Sequence, residues 1–331
     1  MPDLLDIALA HQRRRLIAAD GATARVLKLW RKVPPQELDY GWRLVEGQLV
    51  STVAAAQLLA ASQATPYTNA VAPGEERLVP EAFTNVTLDG RELAPALYGA
   101  VTTTKKLTPV YGASRAFEVA AAFLATVARS AILDMGRTAD GVLAAGRGYT
   151  NYVRVLSPGA CSRCAVLAGK SSYRVAFKRH PSCRCTAMPI KDGKTPGGFF
   201  DDSESYFDSL SKAEQDRVFT KAGAEAIRNG ADVNKVVNAR RGAYGIGYSG
   251  HYNVPVRTGT RNTLQPTTIG VRADGSPLQV YATTEGTTSR GDFSPGRRTT
   301  SIRLMPESIA VMAGGNPVRW RELLFRYGYL Q

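Results

Sequence analysis

The chain has 331 residues, 44% hydrophobic and 21% charged, which is ordinary globular content and enough to bury a sizeable core. Its formal net charge of +14 points to an anionic partner, of which nucleic acid is the commonest. Asp3 and Asp6 stand where a secretion signal carries basic residues, and the best apolar run, Val119 to Ala128, has about ten residues where a membrane span needs about twenty. A product made in a reducing cytosol, with no membrane partner, is the expectation.

Residues 3 to about 32 predict a helix with Leu4, Leu5, Ile7, Ala8, Leu16 and Ile17 along one side. Arg13 to Arg15 form a basic collar, Gly21 is a candidate break, and Pro34-Pro35 is the stop. His11 reads as a surface residue of this amphipathic helix. A second helix from about Gln36 to Gln63 carries Trp42, Leu44, Val45, Leu49, Val53, Ala56 and Leu59 at helical intervals, and Pro66 is expected to end that element. The two helices read as an antiparallel hairpin. Tyr67 to Thr108 is less regular, with one short helix expected between Pro80 and Leu97 and a break at Leu107-Thr-Pro109.

Ser114 is the expected N-cap of a third helix, apolar nearly all round through Phe117, Leu124, Val127 and Leu133, with Gly136 and Gly141 at its fraying end. Tyr149 to Leu156 alternates as a strand does and leads to a turn at Ser157-Pro-Gly159. All four cysteines then follow, in Cys161-Ser-Arg-Cys164 and His180-Pro-Ser-Cys183-Arg-Cys185. A Cys-x-x-Cys turn presents two thiolates to one ion, and a second pair arriving after a loop completes a tetrahedron. Cys161, Cys164, His180, Cys183 and Cys185 are thus five candidate ligands for zinc, one more than it needs. Either the four cysteines bind, or His180 replaces one of the later two. In an extended chain Cys183 and Cys185 point the same way, opposite Arg184. Two disulfides, or four unligated buried thiols, are the alternatives, and a reducing compartment counts against the first. Four thiolates would leave no open position for a catalytic water. Cys185 to Pro189 is the expected partner strand, making a hairpin pinned by metal.

The same window is basic. From Cys161 to Lys194 it carries eight Lys or Arg against one acid, Asp192. Arg163, Lys170, Arg174, Lys178, Arg179 and Arg184 are the candidate contacts to a phosphate backbone, in competition with an ordinary solvated face.

Lys191 to Gly198 reads as a linker. Ser211-Lys-Ala-Glu214 has capping-box spacing and opens a helix expected to run to Arg228 and stop at Asn229-Gly230. Asp232 is the expected N-cap of a short helix that reaches Arg240-Arg241. From Pro255 onward there is no Lys but ten Arg against five acids. Thr267 to Val271 and Leu278 to Thr283 predict a hairpin, Arg290 to Thr300 an arm, and the residues after Pro306 two short helices with Trp320, Leu323, Leu324 and Tyr327 as an apolar stripe.

The order Cys161-x-x-Cys164, His180-Pro-x-Cys183-Arg-Cys185, Tyr206-Phe, Leu210-Ser, Gln215-Asp-Arg, Lys221-Ala-Gly and Asn229-Gly resembles the MuF-like minor head proteins of tailed bacteriophages, in the form found in phages of actinobacteria. The similarity covers about residues 110 to 245. With the elements read above, the chain is expected to be a mainly α, α+β fold: an N-terminal helical region over 1–108, a domain over 109–250 that the resemblance marks as MuF-like and that holds the zinc knuckle, and a C-terminal extended arm over 251–331. The resemblance implies a minor capsid protein, present in several copies in the virion and docked on the portal or the major capsid protein. There it would touch packaged double-stranded DNA without sequence preference and assist head assembly or genome delivery. Some relatives are labelled capsid maturation proteases. Here the only sequence-adjacent pair of serine and histidine beyond the knuckle is Ser249 with His251, and no nucleophile–base–acid set is legible, so an enzyme is not expected. A zinc-knuckle nucleic-acid-binding protein without a virion role is the third reading.

Overall fold

A computed structural model describes residues 3–191, 193–240, 243–248, 255–258, 266–271, 274–283 and 303–330. It is mainly helical with small sheets, an α+β fold. The chain divides into two compact units, residues 1–160 with 167–202, and residues 161–166 with 203–331.

The first unit is built on α1 (Leu4–Trp30), α2 (Leu38–Ser62), α3 (Ala64–Val71), α4 (Leu93–Tyr111) and α5 (Ala113–Gly146), with a 3-10 turn at Pro80–Phe83. Its core is where α1, α2, α4 and α5 meet around Trp30, Trp42, Leu49, Leu97, Leu124 and Ile132. The Trp30 ring stacks on Phe117 at 4.6 Å and its indole N–H donates to the Phe117 carbonyl at 3.4 Å, so the large ring is buried with its polar atom satisfied. The predicted apolar positions of α2 divide: Trp42, Val45, Leu49 and Val53 are buried, while Leu44 and Leu59 face outward.

Several boundaries differ from expectation, each for a local reason. Gly21 lies inside an unbroken α1, where a single glycine costs roughly 1 kcal/mol that packing offsets. Pro66 opens α3 instead of ending α2, because a first-turn residue has no helical N–H partner to lose. Pro109 is accommodated within α4, whose end comes at Gly112, at φ 76°. That residue is the only link to α5, so Ser114 lies inside α5 and not at its cap. Gly136 and Gly141 are also interior: a β-carbon on the first would lie 2.4 Å from Arg15 Nε, and one on the second 3.2 Å from the Tyr173 ring. The stretches 38–71, which is α2 and α3 joined at Gln63, and 113–146, which is α5, each span 34 residues and are long and apolar enough by composition to cross a membrane. That corrects the estimate from uninterrupted apolar runs, which stops at the Ser, Thr and Gly residues a helix carries without a break. By length and composition alone a core helix passes the same test, and α5 carries the buried charges Asp134, Arg137 and Asp140.

Three strands complete the unit: β1 (Asn151–Val155), β2 (Lys170–Ser172) and β3 (Thr186–Ile190), in the order β2-β1-β3, all antiparallel. Val153 pairs with Met188, and both join Tyr67, Val71 and Ile190 in a second core cluster. The predicted hairpin of β1 with the strand after Cys185 is therefore present. The third strand, β2, is too short to carry a sequence signal.

The second unit contains α6 (Ser162–Ala165), α7 (Ser203–Asp208), α8 (Lys212–Phe219), α9 (Lys221–Arg228) and α10 (Val233–Ala239). It continues with strands β4 (Ala243–Tyr248), β5 (Pro255–Thr258), β6 (Thr267–Val271), β7 (Pro277–Thr283) and β8 (Arg303–Leu304), then α11 (Pro306–Ala313) and α12 (Pro317–Arg326). The strands form one sheet in the order β5-β4-β7-β6, with β8 on β7. The capping box at Ser211 forms in full, and Asp232 caps α10 by accepting from the Lys235 N–H at 2.7 Å. The helix expected to run from 212 to 228 is broken at Thr220, whose φ is 67° and whose hydroxyl caps α9. Trp320, Leu323 and Leu324 are buried as predicted. The expected arm at 290–300, Arg241, Ser249 and His251 lie outside the described residues.

Candidate metal centre

Local backbone explains how the cysteines converge. Gly159, at φ 71°, and the bond from the Ala160 N–H to the Ser157 carbonyl turn the chain after β1. Cys161 then takes the extended N-cap position of α6, with the N–H groups of Cys164 and Ala165 donating to its carbonyl at 2.9 and 3.0 Å. Three positions along one helical turn share a face, so Cys161 and Cys164 are presented together. The second cluster is made by a tight turn. The Cys183 N–H donates to the His180 carbonyl at 3.1 Å, Pro181 holds the second position, and Ser182 sits at φ 59°. That is the residue pattern of a type II turn, whose third position requires positive φ. The Ser182 N–H is anchored to Ser130 Oγ on α5 at 2.9 Å. Beyond the turn Cys183 and Cys185 are buried and Arg184 is exposed.

Two overlapping groups result: Cys161 with Cys164 and His180, and Cys164 with Cys183 and Cys185. Within each, the ligand atoms lie within 4.8 Å of one another. Both are positioned to bind a metal ion, and Cys164 belongs to both. No disulfide joins the four cysteines. The His180 Nδ1 lies 2.8 Å from the Pro181 carbonyl oxygen. A carbonyl only accepts, so Nδ1 carries the proton and Nε2 keeps the lone pair a metal would use.

The predicted phosphate contacts separate by environment. Arg163, Lys170, Arg174, Lys178 and Arg184 are exposed. Lys170 Nζ donates to the Gly193 carbonyl at 2.9 Å. Arg179 differs from the expectation: its guanidinium pairs with the buried Asp134 of α5, which removes it from an anion-binding face. A basic residue in a charge run reads as solvated until its partner, 45 positions earlier, is in view.

Sequence reasoning also missed the most buried polar cluster of the first unit. His11, expected at the surface, is fully buried. Its Nε2 lies 3.1 Å from Asp140 Oδ2, and Arg15 reaches both oxygens of the same carboxylate at 2.7 and 2.9 Å. The His11 ring stacks on Tyr67 at 3.9 Å, and the Tyr67 hydroxyl donates to the Ala187 carbonyl at 2.9 Å. Burial lowers the His11 pKa, against the pull of Asp140. Burial alone would raise Asp140, but the Arg15 charge and then His11 outweigh it and bring its pKa down to about 2.

Fold and site together define an α+β protein with a Cys/His group arranged for a metal ion. The chain matches no protein-family model, no curated protein and no solved structure.

Proposed function

We propose that this protein is a non-enzymatic minor component of a tailed-phage head, with one zinc ion fixing its central loop. The observation that carries the metal half is the convergence of two ligand groups on Cys164 from segments 16 and more positions apart. Sulfur-rich sets of this kind select zinc among the common divalent ions. Cys161, Cys164, Cys183 and Cys185 would hold it, with His180 either replacing one of the later two or standing beside the site. The head assignment is supported by the ordered motif string over residues 110 to 245, and the +14 charge suits a place next to packaged DNA and the portal or major capsid protein.

Elemental analysis of the protein purified under reducing conditions should find one zinc per chain, and Cys164→Ser should abolish it. A metal-free protein with its fold intact would overturn the zinc. Mass spectrometry of purified particles of the encoding phage should find the chain in the virion; its absence there overturns the head role and leaves a nucleic-acid-binding protein, the reading that exposed Lys170, Arg174, Lys178 and Arg184 favour.

A further inference from the structure

Arg137 projects from α5 and is buried, with about 7% exposure. Its Nη1 donates to the Cys183 carbonyl at 2.9 Å and to the Cys185 carbonyl at 3.1 Å, and its Nη2 donates to Asp134 at 2.5 Å. Two carbonyls on alternate residues, held by one nitrogen, fix the backbone between them. The side chains of Cys183 and Cys185 must then leave the same side of the chain. No strand ladder does this work here, because β3 begins only at Thr186.

We infer that Arg137 is the positioning residue of the metal site, holding the Cys183–Cys185 segment so that both sulfurs meet one ion. This rests on the zinc reading above and adds the group that orders the ligands. Charge supports the same role. Arg137 and Arg179 share Asp134, while Arg137 and Arg154 lie 5.4 and 4.0 Å from the centroid of the Phe177 ring. Three guanidiniums in one corner, two of them on a single carboxylate, leave an excess of positive charge beside the cysteine loop. A divalent ion with four thiolates carries two net negative charges, which this wall complements. A lysine would keep the charge at 137 but lacks the planar fork that reaches two carbonyls and a carboxylate at once.

The test is cobalt(II) titration of the full chain, with zinc competition, on wild type, Arg137→Lys and Arg147→Lys. Arg147 is the control: it is equally buried in the first unit but donates to the Ala72 and Glu76 carbonyls and to Asn69, away from the cysteines. Wild type should show thiolate-to-cobalt charge transfer at one ion per chain. Arg137→Lys should weaken metal binding by about 10- to 100-fold and shift the cobalt ligand-field bands, as loss of a group that orders ligands does. Arg147→Lys should lower thermal stability while leaving affinity and spectrum unchanged. Equal weakening in both variants, or an unshifted spectrum in Arg137→Lys, overturns the positioning role and leaves zinc binding standing. A wild type that takes up no cobalt overturns the metal reading itself.

Discussion

Arg15 grips both oxygens of Asp140 while His11 contacts one of them, and all three side chains are closed off from solvent. Removing one partner of such a set strands a buried charge, which costs about 3–5 kcal/mol. Asp140→Ala should therefore cut the unfolding free energy by about that amount at pH 7, read from urea denaturation curves. The pH dependence has a fixed sign. Burial depresses the His11 pKa below its ordinary 6.5, so the folded state disfavours the proton, and stability is lost as pH falls below 6.5. Asp140 is held near 2 against an ordinary 3.8, so its share is complete above 3.8 and lost as pH falls toward 2. The urea midpoint should decline between pH 7 and pH 5, and His11→Gln should flatten that decline; a wild-type midpoint that does not move would refute the assignment. None of this was legible in the chain. Partners 125 and 129 positions apart leave no local trace, and a His-x-x-x-Arg on an amphipathic helix reads as solvated.

At the scale of the element, the junction of α4 and α5 turns on one residue. Gly112 has φ 76°, a region closed to most side chains, and a β-carbon there would meet no neighbour. Backbone strain alone should decide the effect of a substitution. Gly112→Ala should cost about 1–2 kcal/mol, measured by denaturation, while Pro109→Ala should be neutral or stabilising because it returns a helical N–H. The sequence reading put the break at the proline, since proline is the louder signal; the glycine three residues later is where the backbone needs its freedom. Elements whose signals are local came through intact. The capping box at Ser211 and the Asp232 cap depend on neighbours within one turn, and the strands of the β1–β3 pairing and the β6–β7 hairpin are short runs bounded by turn residues. The cysteine group was legible for the same reason: a helical turn and a type II turn set its spacing. Arg137 was not, because what it holds lies 46 and 48 positions away.

For the molecule as a whole, charge is the property with the widest reach. A net charge of +14, with Lys170, Arg174, Lys178 and Arg184 among the exposed cations, should bind double-stranded DNA through its phosphates, with counterion release driving the association. The logarithm of affinity should then fall linearly with the logarithm of salt concentration, by about 0.9 per phosphate contact, and should not distinguish random from defined sequences. Exposed and paired cations should behave differently in the same assay. Lys170→Glu, Arg174→Glu and Lys178→Glu together should weaken binding at low salt and reduce the slope, since these side chains face solvent. Arg179→Ala should instead lower stability, because it leaves the buried Asp134 with Arg137 as its remaining charged partner. Electrophoretic or fluorescence titrations across a salt series, paired with melting curves for each variant, separate the two effects. An affinity that stays level from low to high salt would mean that the positive charge serves another anionic surface, and the place proposed beside packaged DNA would lose its physical support.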